Sequence, residues 1–172
     1  MLKLFGAVLI VLAGTLAGFQ RARQYADRPR QIRGLIAALQ RLETEILYGF
    51  TPLPEALRRI GVQSTGALQH FFATAAEEMS PPNDRSAQDA IHTAMEIHWK
   101  NTAMMASEKE VVRQLSCTLG TSDRSNQTTH ITMAIQQLNQ EELAAREDQG
   151  KYEKMSKSLG LLLGVLIVIL IF

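Results

Sequence analysis

The sequence predicts an all-α protein: a compact bundle of about six helices between two terminal transmembrane helices. Three observations carry this. Among the 172 residues, every charged side chain except Lys3 lies between Gln20 and Lys157. The flanking runs Leu4–Phe19 (LFGAVLIVLAGTLAGF) and Leu159–Phe172 (LGLLLGVLIVILIF) hold no charge. The middle repeats its apolar residues at helical spacing and nowhere sustains the period-2 alternation of β-branched residues that a sheet needs. The expected organisation is a membrane helix over residues 1–20, a helical domain over 21–157 and a second membrane helix over 158–172.

The flanks come first. As helices, the two runs are roughly 24 and 21 Å long at about 1.5 Å per residue. A bilayer core is ~30 Å thick, so length alone would also suit a buried core helix. Composition favours the membrane, because a core helix keeps a polar stripe and neither run has one. Residues at the ends then snorkel to the interface. The first run has a second reading, a signal peptide cleaved after Ala17. Arg21, Arg23, Arg28, Arg30 and Arg33 follow that run at once and oppose translocation.

The same charges set the expected topology. Residues 20–33 carry five Arg and one Asp, and Lys151, Lys154 and Lys157 precede the second run. The positive-inside rule places the middle on the cytoplasmic side of a hairpin. Residues 34–150 hold nine basic and fifteen acidic side chains, net −6, so an acidic domain stands on basic stalks that attract anionic lipid. Gly14 with Gly18, and Gly160 with Gly164, are small-residue pairs four apart. They are the expected packing surface where the two membrane helices touch, within a chain or between chains.

In the middle, Asp27 and Pro29 read as a helix start. Ile32, Leu35, Ile36, Leu39, Leu42 and Ile46 form its apolar stripe, and it ends near Gly49. Thr51-Pro52-Leu53-Pro54 opens a short helix through Ile60, stopped by Gly61. Leu68, Phe71, Phe72 and Ala75 mark a third helix, closed by Ser80-Pro81-Pro82. Ser86 with Asp89 reads as a capping box before Ala87, Ala90, Ile91, Ala94, Met95 and His98. Ser107 with Glu110 reads the same way before Val111, Val112, Leu115 and Leu119, with Gly120 as a left-handed stop. From about Asp123 one long helix runs through Ile131, Ile135, Leu138, Ala145 and Tyr152 into the second apolar run.

Catalytic signatures do not emerge. His92 and His98 are six apart and fall on different helix faces, and no His pair has the i, i+4 spacing of a helical metal site. His92 and Glu96 read as a solvated or capping pair. No phosphate-binding loop, nucleophile elbow or Cys–His pattern is present. The lone Cys117 rules out an internal disulfide and reads as a core residue. A net charge of +1 argues against nucleic-acid binding through bulk charge. The expectation is a protein without catalytic residues, cofactor or metal. For a partner surface, the acidic residues Glu43, Glu45, Glu77 and Glu78 are the candidates to meet a basic protein.

Several short motifs together resemble the stage III sporulation protein AB family. They are Arg41-Leu42-Glu43-Thr44-Glu45-Ile46, Tyr48-Gly49, Pro52-Leu53-Pro54-Glu55-Ala56-Leu57, Leu119 through Asp123, Gln127 and Lys154-Met155, with the terminal apolar run and the total length. The resemblance implies a subunit of the mother cell–forespore channel complex of endospore formers. It implies a soluble region similar in fold to the F-type platform protein of type II secretion and type IV pilus systems. Its implied partners are the other stage III sporulation channel proteins and a neighbouring secretion-type ATPase, at the mother-cell membrane around the forespore. Platform proteins commonly carry two such helical domains and this chain has one, so a homo-oligomer would supply the second. The alternative is an exported channel component in the intermembrane space, reached by cleavage or by reversed topology.

Overall fold

The structure is a computed structural model that describes residues 2–49, 51–120 and 123–171, with side chains described at 16, 23–49, 51–120, 123–152, 155, 158 and 162. Every element among them is helical. In chain order they are α1 (Leu2–Thr44), a π-helical turn (Glu45–Gly49), α2 (Leu53–Gln63), α3 (Ala67–Glu78), α4 (Ala87–His98), a 3-10 turn (Trp99–Asn101), α5 (Ala106–Ser116) and α6 (Arg124–Ile171). Six α-helices match the expected class. Among the described residues, no helix is long and apolar enough to cross a membrane. Apart from Leu16 and Leu162, the runs 4–19 and 159–172, with Gly14, Gly18, Gly160 and Gly164, lie outside the residues whose side chains are described.

The chain divides into two compact units. One comprises residues 1–29 and 143–172, the other residues 30–142. The larger unit holds the core that the periodicity predicts. Ile32, Leu35, Ile36, Leu39, Leu42 and Ile46 are all buried, and so are Leu68, Phe71, Phe72 and Ala75. From later helices come Ile91, Met95, Val112, Leu115, Ile131 and Leu138, and from the turn after α5 comes Leu119. Fully burying a side chain such as Leu or Ile contributes about 1.5–3 kcal/mol, and these stripes are what hold the short helices α2 to α5 in place. In the smaller unit, Tyr25 stacks on Tyr152 with ring centroids 5.4 Å apart, and Arg28 pairs with Asp148 at 3.3 Å. Moving forward along α1 moves backward along α6, so the two segments run antiparallel.

Four local expectations are corrected. No helix starts at Asp27, because α1 runs unbroken from Leu2 to Thr44 with Pro29 inside it. Proline removes one backbone donor and crowds the preceding turn. Its ring is fully buried here, and packing outweighs the local penalty. Gly61 does not stop α2, which continues to Gln63. A Cβ on Gly61 would sit 3.2 Å from the backbone nitrogen of Ala73 and 3.4 Å from the carbonyl oxygen of Gln69, so this glycine lets α2 lie against the backbone of α3. The cap of α5 is not Ser107 with Glu110. The helix is entered at Met105, whose backbone N–H donates to Glu108 at 2.7 Å. Cys117 is exposed rather than core, because α5 ends at Ser116 and the thiol lies in the turn beyond it. Ser86 caps α4 as expected, accepting from the Asp89 backbone N–H at 3.1 Å, while the Asp89 carboxylate accepts the Ser86 hydroxyl at 2.7 Å in place of the backbone N–H that a full capping box would use.

Candidate functional site

The last inward residue of the α1 stripe is Ile46, and it lies in the π-helical turn that closes α1. Beyond it the chain must reverse into α2. Pro52 and Pro54 fix φ on either side of Leu53, and proline is tolerated in a helix's first turn because those N–H groups have no intrahelical partner. The reversal is tied by the Thr51 hydroxyl, which donates to the Glu45 carboxylate at 2.7 Å. Arg59 on α2 reaches the same carboxylate at 3.6 Å and also donates to Glu55 at 3.3 Å. Gly49 fits between these groups. A Cβ there would stand 2.7 Å from the Glu45 oxygen and 2.9 Å from the Thr51 hydroxyl.

The second half of the site comes from the segment between α5 and α6. Gly120 has φ +79°, a left-handed conformation that strains any L side chain. It also passes close to two other helices, since a Cβ there would meet Ala87 at 3.3 Å and Leu53 at 3.9 Å. Asp123 caps the start of α6, accepting the Asn126 backbone N–H at 3.1 Å. Arg124 and Gln127 then fall in its first turn. Together Ile46, Thr51, Leu53, Gly120, Arg124 and Gln127 line a pocket of about 180 Å³. That is below the ~300–1,000 Å³ typical of small-molecule sites and suits one protein side chain. Its walls are apolar on the Ile46 and Leu53 side, with a guanidinium and an amide on the α6 side. Tyr48 is 77% exposed two residues beyond Ile46, and Leu47 beside it is also exposed.

The acidic residues proposed for partner contact divide between two places. Glu45 is half-buried and bound to Thr51 and Arg59 at the pocket's edge. Glu43, also half-buried, accepts from the Thr132 hydroxyl on α6 at 2.7 Å. Glu77 and Glu78 close α3 instead. Glu77 is exposed, and Glu78 is half-buried with Arg85 3.2 Å away. The four thus belong to two elements, the end of α1 with its π-helical turn and the end of α3.

Among the described residues no group of three or more His, Cys, Asp or Glu could hold a metal ion. His70 and His98 stack with centroids 6.0 Å apart, and the His98 ring nitrogen lies 2.8 Å from the Thr74 hydroxyl. Burial first, and the His70 charge second, lower the His98 pKa from its ordinary value. Glu96 bonds Lys109 at 2.8 Å, and that hydrogen bond with the lysine charge holds its carboxyl below the usual range.

Sequence reasoning missed Arg124 as a lining residue and missed the buried polar contacts of α5 and α6. Glu108 is fully buried, with the Ser107 hydroxyl 3.3 Å away. That hydroxyl also lies 2.9 Å from Glu141, and the neighbouring Glu142 accepts from Arg33 at 2.9 Å. No spacing rule pairs residues so far apart in the chain. The available signal was the set of short motifs, because the stretches around Tyr48–Leu57 and Leu119–Gln127 are the ones that converge on the pocket.

Comparison with known proteins bears out the family resemblance that those motifs carry. The profile of the stage III sporulation protein AB family matches residues 3–172. Stage III sporulation protein AB of Bacillus subtilis (strain 168) is 43% identical over 171 residues, covering 99% of each chain. A solved structure of stage III sporulation protein AB (SpoIIIAB) superposes with a TM-score of 0.68 at 37% identity, covering 73% of this chain and 98% of that one. With a match along nearly its whole length and a shared helical fold, the chain belongs to the stage III sporulation protein AB family.

Proposed function

We propose that this chain is a non-catalytic membrane platform subunit of the sporulation channel between mother cell and forespore, and that it docks a secretion-type ATPase. The observation that carries this is the antiparallel pairing of α1 with α6, marked by Tyr25 on Tyr152 and Arg28 with Asp148. Two helices so paired deliver both apolar runs to the same side, which is what a hairpin anchor requires. Gly14 with Gly18, and Gly160 with Gly164, are the small-residue pairs proposed to pack the two membrane helices together. Small residues on both sides let helix backbones approach closely in lipid. The helical domain then stands in the mother-cell cytoplasm as a scaffold, and the energy for transport comes from the partner.

Topology is the test. Cys117 is exposed and would itself react, so it is first replaced by serine. Single cysteines then go in at Asp84, which is exposed in the turn before α4, and after Phe172. An impermeant thiol reagent is applied to intact cells. Labelling only of the C-terminal cysteine supports the platform reading. Labelling at residue 84 overturns it in favour of an exported channel component. Within the hairpin, Gly18→Leu and Gly160→Leu are expected to weaken detergent-stable assembly and cross-linking, and unchanged behaviour removes the glycine contact.

A further inference from the structure

We infer that the outward face of α6 between Ser125 and Gln140 pairs side by side, in parallel, with the same face of a second copy of this chain. The inference goes beyond the docking reading and does not depend on it. Residues 125–140 hold no Asp, Glu, Lys or Arg, in a chain where 20% of residues are charged. Ile131, Ala134, Ile135 and Leu138 turn inward and are buried. The exposed residues of this stretch cover the opposite half of the helix. The shorter helices offer no such face. α2 and α5 carry the ion pairs Arg58–Glu55 and Arg113–Glu110 on their outer sides, and Lys109 of α5 reaches Glu96 of α4 at 2.8 Å. α3 exposes only Gln69, His70 and Glu77.

Down the middle of the α6 face run Asn126, Thr129, Met133, Gln136 and Gln140, all exposed. Their spacing alternates three and four, the period of a two-helix seam. At about 1.5 Å per residue the seam is roughly 21 Å long. The lack of charge selects the occupant. A two-fold axis presents one patch to itself. In a parallel pair each seam residue stands opposite its own copy, so a charged side chain at any of these positions would meet like charge. An antiparallel pair sets 126 against 140 and needs neutrality only at its centre. Neutrality along the whole seam therefore fits the parallel pair. Amides and hydroxyls both donate and accept, so each can bond its own copy, which a carboxylate or a guanidinium cannot. Among the described residues the side-chain amides of Asn126, Gln136 and Gln140 make no hydrogen bond within the chain. The Thr129 hydroxyl donates to the Ser125 carbonyl at 2.9 Å and keeps its oxygen as an acceptor. Met133, at the centre and 51% exposed, supplies the apolar contact. Methionine is adaptable in packing and enriched in interfaces, where charged residues are depleted at the core.

The test uses the full chain in detergent micelles, with the exposed Cys117 replaced by serine. Sedimentation equilibrium over a concentration series gives the dimer dissociation constant. Met133→Glu is expected to raise it by about tenfold or more, and Met133→Lys likewise. An equal mixture of those two variants should recover a dimer with one copy of each, which loss of the methionine alone would not allow. Gln88→Glu, on the exposed side of α4, is expected to leave the constant within about twofold. On mild oxidation Met133→Cys and Gln140→Cys are each expected to cross-link to their own copy, and Gln88→Cys is not. Thermal melts identify any variant that fails to fold, and the cross-links then decide. A chain that stays monomeric at high micromolar concentration overturns the inference and leaves the face to a different partner. A dimer that Met133→Glu does not weaken overturns it in favour of contact through the membrane helices. Cross-linking at Met133 without cross-linking at Gln140 overturns the parallel pairing.

Discussion

Arg33 on α1 and Glu142 on α6 meet across 109 residues of chain at 2.9 Å, with the glutamate side chain 8% exposed and the arginine 52% exposed. The bond is unequal. Removing Arg33 takes a partner from a carboxylate that the fold has taken out of water, while removing Glu142 leaves a guanidinium that water still solvates. Breaking a fully buried pair costs about 3–5 kcal/mol. Half-exposure of Arg33 screens this one, so Arg33→Ala is expected to destabilise by about 1–2 kcal/mol. In a double-mutant cycle with Glu142→Ala, urea unfolding monitored by circular dichroism should give a combined loss smaller than the sum of the two. Strict additivity would mean that the pair contributes no coupling.

Glu108 caps the helix it belongs to. Its carboxylate accepts the Met105 backbone N–H at 2.7 Å while fully buried. Glu108→Ala removes that acceptor and opens space in the core, so a loss of about 2–3 kcal/mol is expected. Glu108→Gln keeps an acceptor oxygen and should lose less. Hydrogen exchange at the Met105 amide is the direct readout: protection should fall in the alanine variant before global stability is lost.

Two glycines in helices should respond in opposite directions. A Cβ at Gly150 would meet nothing within 4 Å, whereas one at Gly61 would stand 3.2 Å from the backbone of α3. Replacing a helical glycine by alanine gains up to about 1 kcal/mol from the unfolded chain's lost freedom. Gly150→Ala should therefore raise the melting temperature. Gly61→Val must push α3 away and is expected to cost about 1–3 kcal/mol. Equal melting temperatures for the two variants would contradict the close approach of α2 and α3.

The stacked histidines predict a pH dependence. His98 has its pKa lowered from 6.5 by burial and by His70. The unfolded chain therefore binds the proton more readily than the folded one. This contribution to stability is complete above the unfolded value of 6.5 and declines as the pH falls from there towards the lower folded value. His98→Asn should flatten the pH dependence of the melting temperature between about pH 7 and 5. NMR titration of the ring protons should place His98 below an unperturbed histidine, and an ordinary midpoint would contradict it.

Helix class, helix faces and most core residues were legible in the sequence because a helix buries a stripe whose period is local. The positions of Ile32 to Ile46, Phe71 and Phe72, and Ile131 to Leu138 needed only spacing to be read as inward. The Ser86 cap was legible for the same reason: donor and acceptor lie within one turn. Family membership was legible because its motifs are short strings read directly from the chain.

Tertiary structure decided what depends on distant neighbours. Pro29 carries a strong helix-start signal by itself, yet its ring is buried and α1 continues through it. Gly61 carries a stop signal, yet the backbone of α3 makes it a packing residue. Glu45 reads as a candidate for a basic partner, yet Thr51 and Arg59 of its own chain close around it. The pocket itself joins residues 46–53 to residues 120–127, and no local periodicity links segments some seventy residues apart. Backbone preference is written within a turn or two of chain. Which side chain fills a space, or loses its water to a neighbour, is settled only when the helices pack.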